Sequence, residues 1–263
     1  MKSRILRTVN VTRYLTPLRE GGSLPAIAEA DDDFLYVLKF RGAGQGVKAL
    51  IAEVIGGEIF RAAGLKVPEI VFANLDEFFG RTEPDEEIQD LLRASVGLNL
   101  AVHYLSGSIT FDASVTPPDA LTASKIVWLD AYLMNVDRTA RNTNMLSWNK
   151  DLWLIDHGAC LYFHHAWQSL QEAITKPFAQ IRDHVLLPFA GRLSDAGEEL
   201  KQLINEETIN SVVELLPAEW LDNAGYDEDS GAVIRAYKRF LMRRLEHSDI
   251  FEQEAKSARG AII

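Results

Sequence analysis

The chain has 263 residues, enough to bury a sizeable core in one large or two-lobed domain, and its composition is that of an ordinary globular protein, 47% hydrophobic and 25% charged. A formal net charge of −11 argues against general binding to nucleic acid or to an anionic membrane. The single cysteine, Cys160, permits no internal disulfide and suits a reducing cytosol; Met1 to Arg7 lack the apolar core of a signal peptide, and no apolar run reaches membrane-spanning length, so a cytoplasmic protein is expected.

Residues Ile5 to Leu15 alternate loosely and carry Val, Thr and Tyr, which predicts a strand. Arg19-Glu20-Gly21-Gly22-Ser23 is a turn signal, Pro25 to Ala30 a second strand, and Phe34 to Phe40 a third. The turn at Gly21, Gly22 and Ser23 has two readings. It is a plain hairpin turn, or a loop whose backbone N–H groups approach a phosphate because glycine has no Cβ in the way.

Lys39 stands inside the apolar run Tyr-Val-Leu-Lys-Phe. Such a lysine either snorkels from an edge strand or faces a cleft and reaches phosphate oxygens. A helix from Val47 to Ala63 follows, with an apolar stripe bordered by Glu53 and Glu58, and periodicity does not choose between the two acids. The intervening Gly42-x-Gly44-x-Gly46 lacks the Gly-x-Gly-x-x-Gly spacing of a dinucleotide-binding turn. Gly64 caps the helix, Pro68 to Leu75 is a strand, Asp76 to Asp90 a loop leading into a short helix, and Leu98 to Leu105 a further strand.

A helix from Asp119 to Met134 delivers the polar loop Asn135-Val136-Asp137-Arg138-Thr139-Ala140-Arg141-Asn142. Two short apolar runs then flank a hairpin turn at Asn149-Lys150-Asp151, and the second run ends in Asp156-His157-Gly158. This layout suits phosphoryl transfer from a metal nucleotide. That reaction needs a carboxylate to orient an acceptor hydroxyl, assigned to Asp137, and hard oxygen ligands for Mg²⁺, assigned to Asn142 and Asp156, with Asn144 as an alternative to Asn142. Adjacent His164 and His165 do not share a helix face and lack further ligands for zinc. The remainder reads as helices, one of them Ser230 to Glu246, whose Arg235, Lys238, Arg239, Arg243 and Arg244 form a basic face, solvated or open to an acidic partner. The tail beyond Phe251 lacks a core pattern and is expected to fray.

The Asn135–Asn142 stretch and Ile155-Asp156-His157-Gly158, with Leu38-Lys39-Phe40, Glu53 and Gly64-Leu65-Lys66-Val67-Pro68-Glu69 upstream, resemble the HipA-like kinases, bacterial proteins whose fold is akin to protein kinases and phosphoinositide kinases. The resemblance covers Tyr14 to Phe163 and implies the shorter, single-domain branch of that family. It implies an α+β, two-lobed protein-kinase-like fold, with an antiparallel-sheet lobe over residues 1–106 and a helical lobe over residues 107–263. It further implies ATP and Mg²⁺ between the lobes, a phosphate-covering loop at Gly21, Gly22 and Ser23, Glu53 as the acid that holds Lys39, and a hinge pocket lined by His103 and Tyr104. The acceptor it implies is a Ser or Thr hydroxyl on a protein. The family's link to toxin–antitoxin systems implies a small partner protein. The sequence departs from kinases generally in having His157 in the Asp-x-Gly turn, no His-Arg-Asp before the base and no Gly-x-Gly-x-x-Gly loop. Two other readings stay open: a small-molecule or lipid kinase, and a nucleotide-binding pseudokinase serving as an interaction module.

Overall fold

The structure, a computed structural model, describes residues 5–18 and 24–262. Gly21, Gly22 and Ser23 therefore lie outside the described residues.

Five strands open the chain's first part: β1 (Thr8–Pro17), β2 (Ala26–Ala30), β3 (Leu35–Lys39), β4 (Ile70–Leu75) and β5 (Gly97–His103). They close into a barrel in the order β1-β2-β3-β5-β4. This corrects the expected antiparallel sheet: β1 and β4 pair parallel, Thr8 beside Phe72, and that one parallel seam removes both sheet edges. Alternation explains the closure. Val9, Val11, Ala26, Ala28, Ala30, Leu38, Val71 and Ala73 all point inward, and the three alanines of β2 leave room for so small a barrel to shut. Two helices, α2 (Phe79–Thr82) and α3 (Glu86–Ala94), follow β4; Ile88 and Leu92 of α3 join the barrel's core cluster.

Helix α1 (Gly46–Ala62) lies against the outer face of β4 and β5, where Ile70, Leu100 and Val102 meet it. It is buried on nearly every side, so its two acids, Glu53 and Glu58, are buried as well. The paired glycines of α1 permit this depth. A Cβ on Gly56 would come within 2.6 Å of the Cβ of His157, and one on Gly57 within 2.4 Å of Ile70 Cδ1.

Beyond Gly107, β6 (Ile109–Thr110), β7 (Met145–Trp148) and β8 (Asp151–Leu154) form a small sheet. The β7–β8 turn has positive φ at Asn149 and Lys150, the requirement of a type I′ hairpin. Helix α4 (Ala120–Leu133) starts at Asp119, whose carboxylate accepts from Leu121 N and Thr122 N at 3.0 Å, and ends at Met134 in the left-handed region. It is the central helix of the second part. Around it stand α5 (Leu170–Ile174), α6 (Leu193–Leu203), α7 (Glu206–Val213), α8 (Ala218–Asp222), α9 (Ser230–Glu246) and α10 (Ser248–Gly260).

Two expectations for the C-terminal region are overturned. The tail does not fray: α10 docks on α4, with the Phe251 ring 4.9 Å from that of Trp128 and Trp128 Nε1 donating to Glu252 Oε2 at 3.1 Å. Phe251, Ala255 and the partly buried Ala258 supply the apolar contact, too little apolar bulk for a visible stripe. The basic face of α9 is largely consumed. Lys238 pairs with Glu214 and Arg243 with Glu246, while Arg244 is wholly buried. Its guanidinium donates to the carbonyls of Ala131, Tyr132, Ala173, Ile174 and Lys176, gathering the negative C-terminal ends of α4 and α5.

The two parts are joined by α8. Trp220, fully buried, donates from Nε1 to Leu98 O at 2.9 Å and packs edge-on against Phe72 at 5.4 Å, while Glu219 pairs with Arg41.

Candidate active site

Between the barrel and the helices lies a cleft of about 1620 Å³, lined from one side by Val37, Lys39, His103 and Tyr104 and from the other by Asp137, Asn142, Asn144 and Asp156. Strand alternation aims Lys39 into it: Tyr36 and Leu38 enter the barrel, so Val37 and Lys39 face out. Lys39 Nζ donates to Glu53 Oε2 at 2.6 Å and to Asp156 Oδ1 at 2.8 Å. The lysine does not snorkel from an edge; it is clamped by two carboxylates from different parts of the chain. Burial alone would lower its pKa, but Asp156 and Glu53 outweigh burial and raise it. Burial likewise works against the Glu53 carboxylate, yet Lys39 holds it down to about 2. Glu58, the other acid of α1, is engaged by Arg61 Nε at 3.0 Å, and Arg61 is anchored on the Val67 and Pro68 carbonyls.

The loop after α4 is fixed from beneath by Asp130, an acid with no exposed surface in the middle of that apolar helix. Its Oδ1 accepts from Asn135 Nδ2 at 2.7 Å; its Oδ2 accepts from Arg138 Nε at 2.7 Å and from His184 Nε2 at 2.9 Å. Leu186 N donates to His184 Nδ1, which makes Nε2 the protonated ring nitrogen. Arg138 reaches on to the carbonyls of Asn144 and Ile155, so one buried guanidinium spans the loop and the strand end that carries Asp156. Asp130 and His184 were not picked out in the sequence, and Asn135 was named there only as the first residue of the loop. The readable signal was Asp130 itself, an acid within Ile-Val-Trp-Leu-Asp-Ala-Tyr-Leu.

On this base Asp137 N donates to Asn135 Oδ1, and Asp137 Oδ2 accepts from Asn142 Nδ2 at 2.8 Å and Asn144 Nδ2 at 3.1 Å. Burial pushes the Asp137 carboxyl above its ordinary value; the Asn144 and Asn142 amides oppose that shift and the charge of Asp156 adds to it. Asp156 adopts φ 54°, a left-handed backbone that a short polar side chain tolerates. The turn sends Asp156 into the cleft and His157 the other way, under α1, 5.0 Å from the Phe60 ring and 3.6 Å from Glu53 Oε1.

Asn142 gives its amide N–H to Asp137 and Asp156 gives Oδ1 to Lys39. Asn142 Oδ1 and Asp156 Oδ2 have no hydrogen-bond partner among the described residues. Both are hard oxygens, the donor type that Mg²⁺ takes together with phosphate and water. Asn144 differs: it is buried and its backbone carbonyl is held by Arg138. Among the described residues no group of three or more His, Cys, Asp or Glu side chains is placed to hold a metal by itself.

His103 and Tyr104 both line the cleft, but their backbone N–H groups are taken up by Glu69 O and Leu35 O. The next one, Leu105 N–H, donates to no described residue. The Gly21–Ser23 turn is outside the described residues, but the flanking Pro17, Leu18 and Pro25 line the cleft, and Leu18 N donates to Pro25 O at 2.7 Å.

A family model described as HipA-like kinase matches residues 11–253. Among solved structures, the chain is similar to the crystal structure of a Helicobacter pylori proinflammatory kinase, CtkA, at 14% identity over 98% of each chain with a TM-score of 0.55. It is also similar to the Golgi casein kinase, at 11% identity over 96% of this chain and 72% of that one with a TM-score of 0.50, and to the same kinase with Mn/ADP bound, at 12% over 98% and 75% with a TM-score of 0.50. At such identities these likenesses establish an α+β kinase-like fold and nothing finer. No curated protein matches the chain.

Proposed function

The chain belongs to the HipA-like kinase family, and we propose that it transfers the γ-phosphoryl group of ATP, taken as the Mg²⁺ complex, to a Ser or Thr hydroxyl of a protein. The observation that carries this reading is the convergence on one cleft of Lys39, held at 2.6 and 2.8 Å by Glu53 and Asp156, with Asp137, held by Asn142 and Asn144. In this reading residues 1–106 form the phosphate-side lobe, including the Gly21–Ser23 turn, and residues 107–263 bring the base and the metal ligands.

The adenine edge docks on the hinge, where the Leu105 N–H is available and His103 and Tyr104 form the wall. The Lys39 ammonium, already positioned by Glu53, turns to the α- and β-phosphate oxygens and neutralises part of their charge. Asn142 Oδ1 and the Asp156 carboxylate would hold Mg²⁺, which when bound offsets charge on the phosphate oxygens. Asp137 orients the acceptor hydroxyl and accepts its proton as the bond from the acceptor oxygen to phosphorus forms and the bond to ADP breaks. A carboxylate with a raised pKa is better matched to that transfer than an ordinary one. His157 lies under α1 and outside the cleft lining, so its replacement of phenylalanine leaves the oxygen donors in place.

Calorimetry of ATP binding with and without Mg²⁺ tests the reading. Wild type should bind in a Mg²⁺-dependent manner, Asp156→Ala should lose that dependence, and Asp137→Asn should still bind nucleotide while losing transfer. Equal activity in wild type and both variants would remove the site assignment. A cytoplasmic setting belongs to the same proposal; among the described residues no helix is long and apolar enough to cross a membrane.

A further inference from the structure

We propose that the acceptor polypeptide docks as an extended strand on the open edge of β6, pairing its backbone with the N–H and C=O of Thr110. The inference rests on the phosphotransferase reading, because it concerns what reaches Asp137.

A strand edge is a row of unpaired backbone donors and acceptors, and folded proteins cover it or guard it with charge, proline or a bulge. The barrel covers its edges through the parallel seam of β1 and β4. The small sheet, ordered β6-β7-β8, has two outer strands. β8 is guarded: Leu154 N donates to Lys66 O at 2.9 Å, and the Lys66 ammonium pairs with Asp151 and lies over the Trp153 ring. β6 carries no such guard. From Leu105 to Phe111 the chain reads Leu-Ser-Gly-Ser-Ile-Thr-Phe, with neither charge nor proline, and Ile109 is 68% exposed.

The register tells which backbone groups are open. Ile109 stands opposite Ser147 and Thr110 opposite Leu146, and Phe111 N donates to Met145 O at 3.0 Å. Hydrogen-bonded and non-hydrogen-bonded pairs alternate along an antiparallel ladder. Phe111 and Met145 form a hydrogen-bonded pair, so Thr110 and Leu146 do not, and the N–H and C=O of Thr110 point away from β7. No described residue hydrogen-bonds to either group, and Thr110 is exposed. The edge is also held in place: Trp148 Nε1 donates to Ser106 O at 2.9 Å, and Ser108 N to Leu105 O at 3.0 Å.

The position of the edge selects its occupant. Ser108, Thr110 and Asp112, alternate residues of one segment, line the cleft, and so does Leu146 across the ladder. From Leu146, β7 leads back through Met145 to Asn144, whose amide donates to Asp137 Oδ2 at 3.1 Å. With strands about 4.8 Å apart and a rise of about 3.3 Å per residue, a chain paired with Thr110 reaches the base within about four residues. The edge is part of a cleft wall, which suits an extended chain and not the convex surface of a second folded copy. Backbone pairing binds such a chain without reading its sequence; Ile109 on one face and the cleft on the other meet its alternate side chains.

The test uses the full chain and a fluorescein-labelled nonapeptide, a central serine flanked by valine and threonine, with affinity read by anisotropy. Thr110→Pro removes one open N–H and leaves the β6–β7 bonds, in which that N–H takes no part, so its thermal unfolding should match wild type. It should weaken peptide binding by roughly two- to tenfold, the loss of one backbone hydrogen bond. N-methylation of the peptide should weaken binding to wild type at the residue that donates to Thr110 C=O and leave its two neighbours unaffected. If Thr110→Pro lowers the melting temperature, the N-methyl scan on wild type decides alone. No binding by wild type, equal binding by wild type and an intact Thr110→Pro, or the same loss at every N-methylated position would overturn the inference. So would a wild-type dimer in sedimentation that Thr110→Pro dissolves, which would give the edge to a second copy. Mg²⁺-dependent ATP binding, measured separately, reports on the phosphotransferase reading, so the failure of one is distinguishable from the failure of the other.

Discussion

Lys39 and Asp156, 117 residues apart in the chain, meet at 2.8 Å across the cleft, and the same lysine reaches Glu53 at 2.6 Å. Glu53 is 1% exposed, so Lys39 is the cation that makes a buried carboxylate tolerable as well as the one that faces the phosphates. Lys39→Met should lower phosphoryl transfer by about 10²–10³-fold, the usual loss for removing one stabilising charge from an active site. It should also destabilise the fold by about 3–5 kcal/mol, because one partner of a buried pair is left alone. Combining Lys39→Met with Glu53→Leu should recover much of the melting temperature and none of the activity. Recovery of both together would mean that Lys39 serves stability alone.

The same burial makes a prediction about acid. Glu53 is held down to about 2 from an ordinary 4.5, and Asp130 to about 2 from 3.8; burial opposes both shifts, and Lys39 in one case and Arg138 in the other overcome it. A carboxylate with a depressed folded-state pKa contributes stability that is complete above its unfolded pKa and disappears as pH falls through the folded one. Unfolding free energy from urea titrations should therefore begin to fall below the ordinary histidine range, because burial lowers the pKa of His157, His164 and His184 and each gains a proton on unfolding, and should fall steeply from about 4.5 towards about 2 as Glu53 and Asp130 are protonated. Glu53→Gln and Asp130→Asn should each be less stable at neutral pH and show a shallower acid slope. An unchanged slope in both would place the acid-sensitive groups elsewhere.

Asp137 shifts the other way, and its two amides can be separated by their effect on pH dependence. Burial raises its pKa, and Asn144 is the amide that opposes this most. Asn144 has φ 49°, so Asn144→Gly removes the donor while keeping a residue suited to that backbone. With one fewer hydrogen bond to the charged form, the pKa of Asp137 should rise further. The acid limb of the kcat–pH profile should then move to higher pH, with the rate at the plateau less affected than in Asp137→Asn. An acid limb that stays in place would exclude Asp137 as the group whose ionisation the profile reports.

These residues differ in how visible they were in the sequence. Lys39, Glu53, Asp137, Asn142 and Asp156 carry their signal locally: a lysine inside an apolar strand, an acid at a helix stripe, and an Asp and Asn five apart before a hairpin that ends in Asp-x-Gly. Local backbone rules place such side chains, and the structure brings Lys39, Asp137, Asn142 and Asp156 to one cleft, with Glu53 buried behind Lys39. Periodicity left Glu53 and Glu58 open and the resemblance pointed to Glu53; the fold separates them by partner, Lys39 for Glu53 and Arg61 for Glu58. Asp130, His184, Trp220 and Arg244 act through partners far along the chain, His184 from 54 residues away from Asp130. No spacing rule reaches that far. Arg244 in particular is misleading by type. An arginine among other basic residues on an amphipathic helix suggests solvent, and only the convergence of two helix ends turns that position into a buried cation site.

The union of the barrel with the helices is itself testable through Trp220. The indole is fully buried, donates to Leu98 O at 2.9 Å and lies against Phe72 at 5.4 Å, while its neighbour Glu219 pairs with Arg41. Trp220→Phe keeps most of the packing and strands one buried carbonyl, a loss of about 1–3 kcal/mol. Trp220→Ala opens a large cavity at the junction and should lose about 3–5 kcal/mol. The cavity falls on a short helix that ties the two parts together, so its effect should extend beyond the midpoint. Scanning calorimetry of wild type should show one cooperative transition, and Trp220→Ala should split it or broaden it into two, with the calorimetric enthalpy exceeding the van't Hoff value. A single sharp transition at lower temperature would show instead that α1, packed against α7 as well as the barrel, suffices to keep the two parts melting as one.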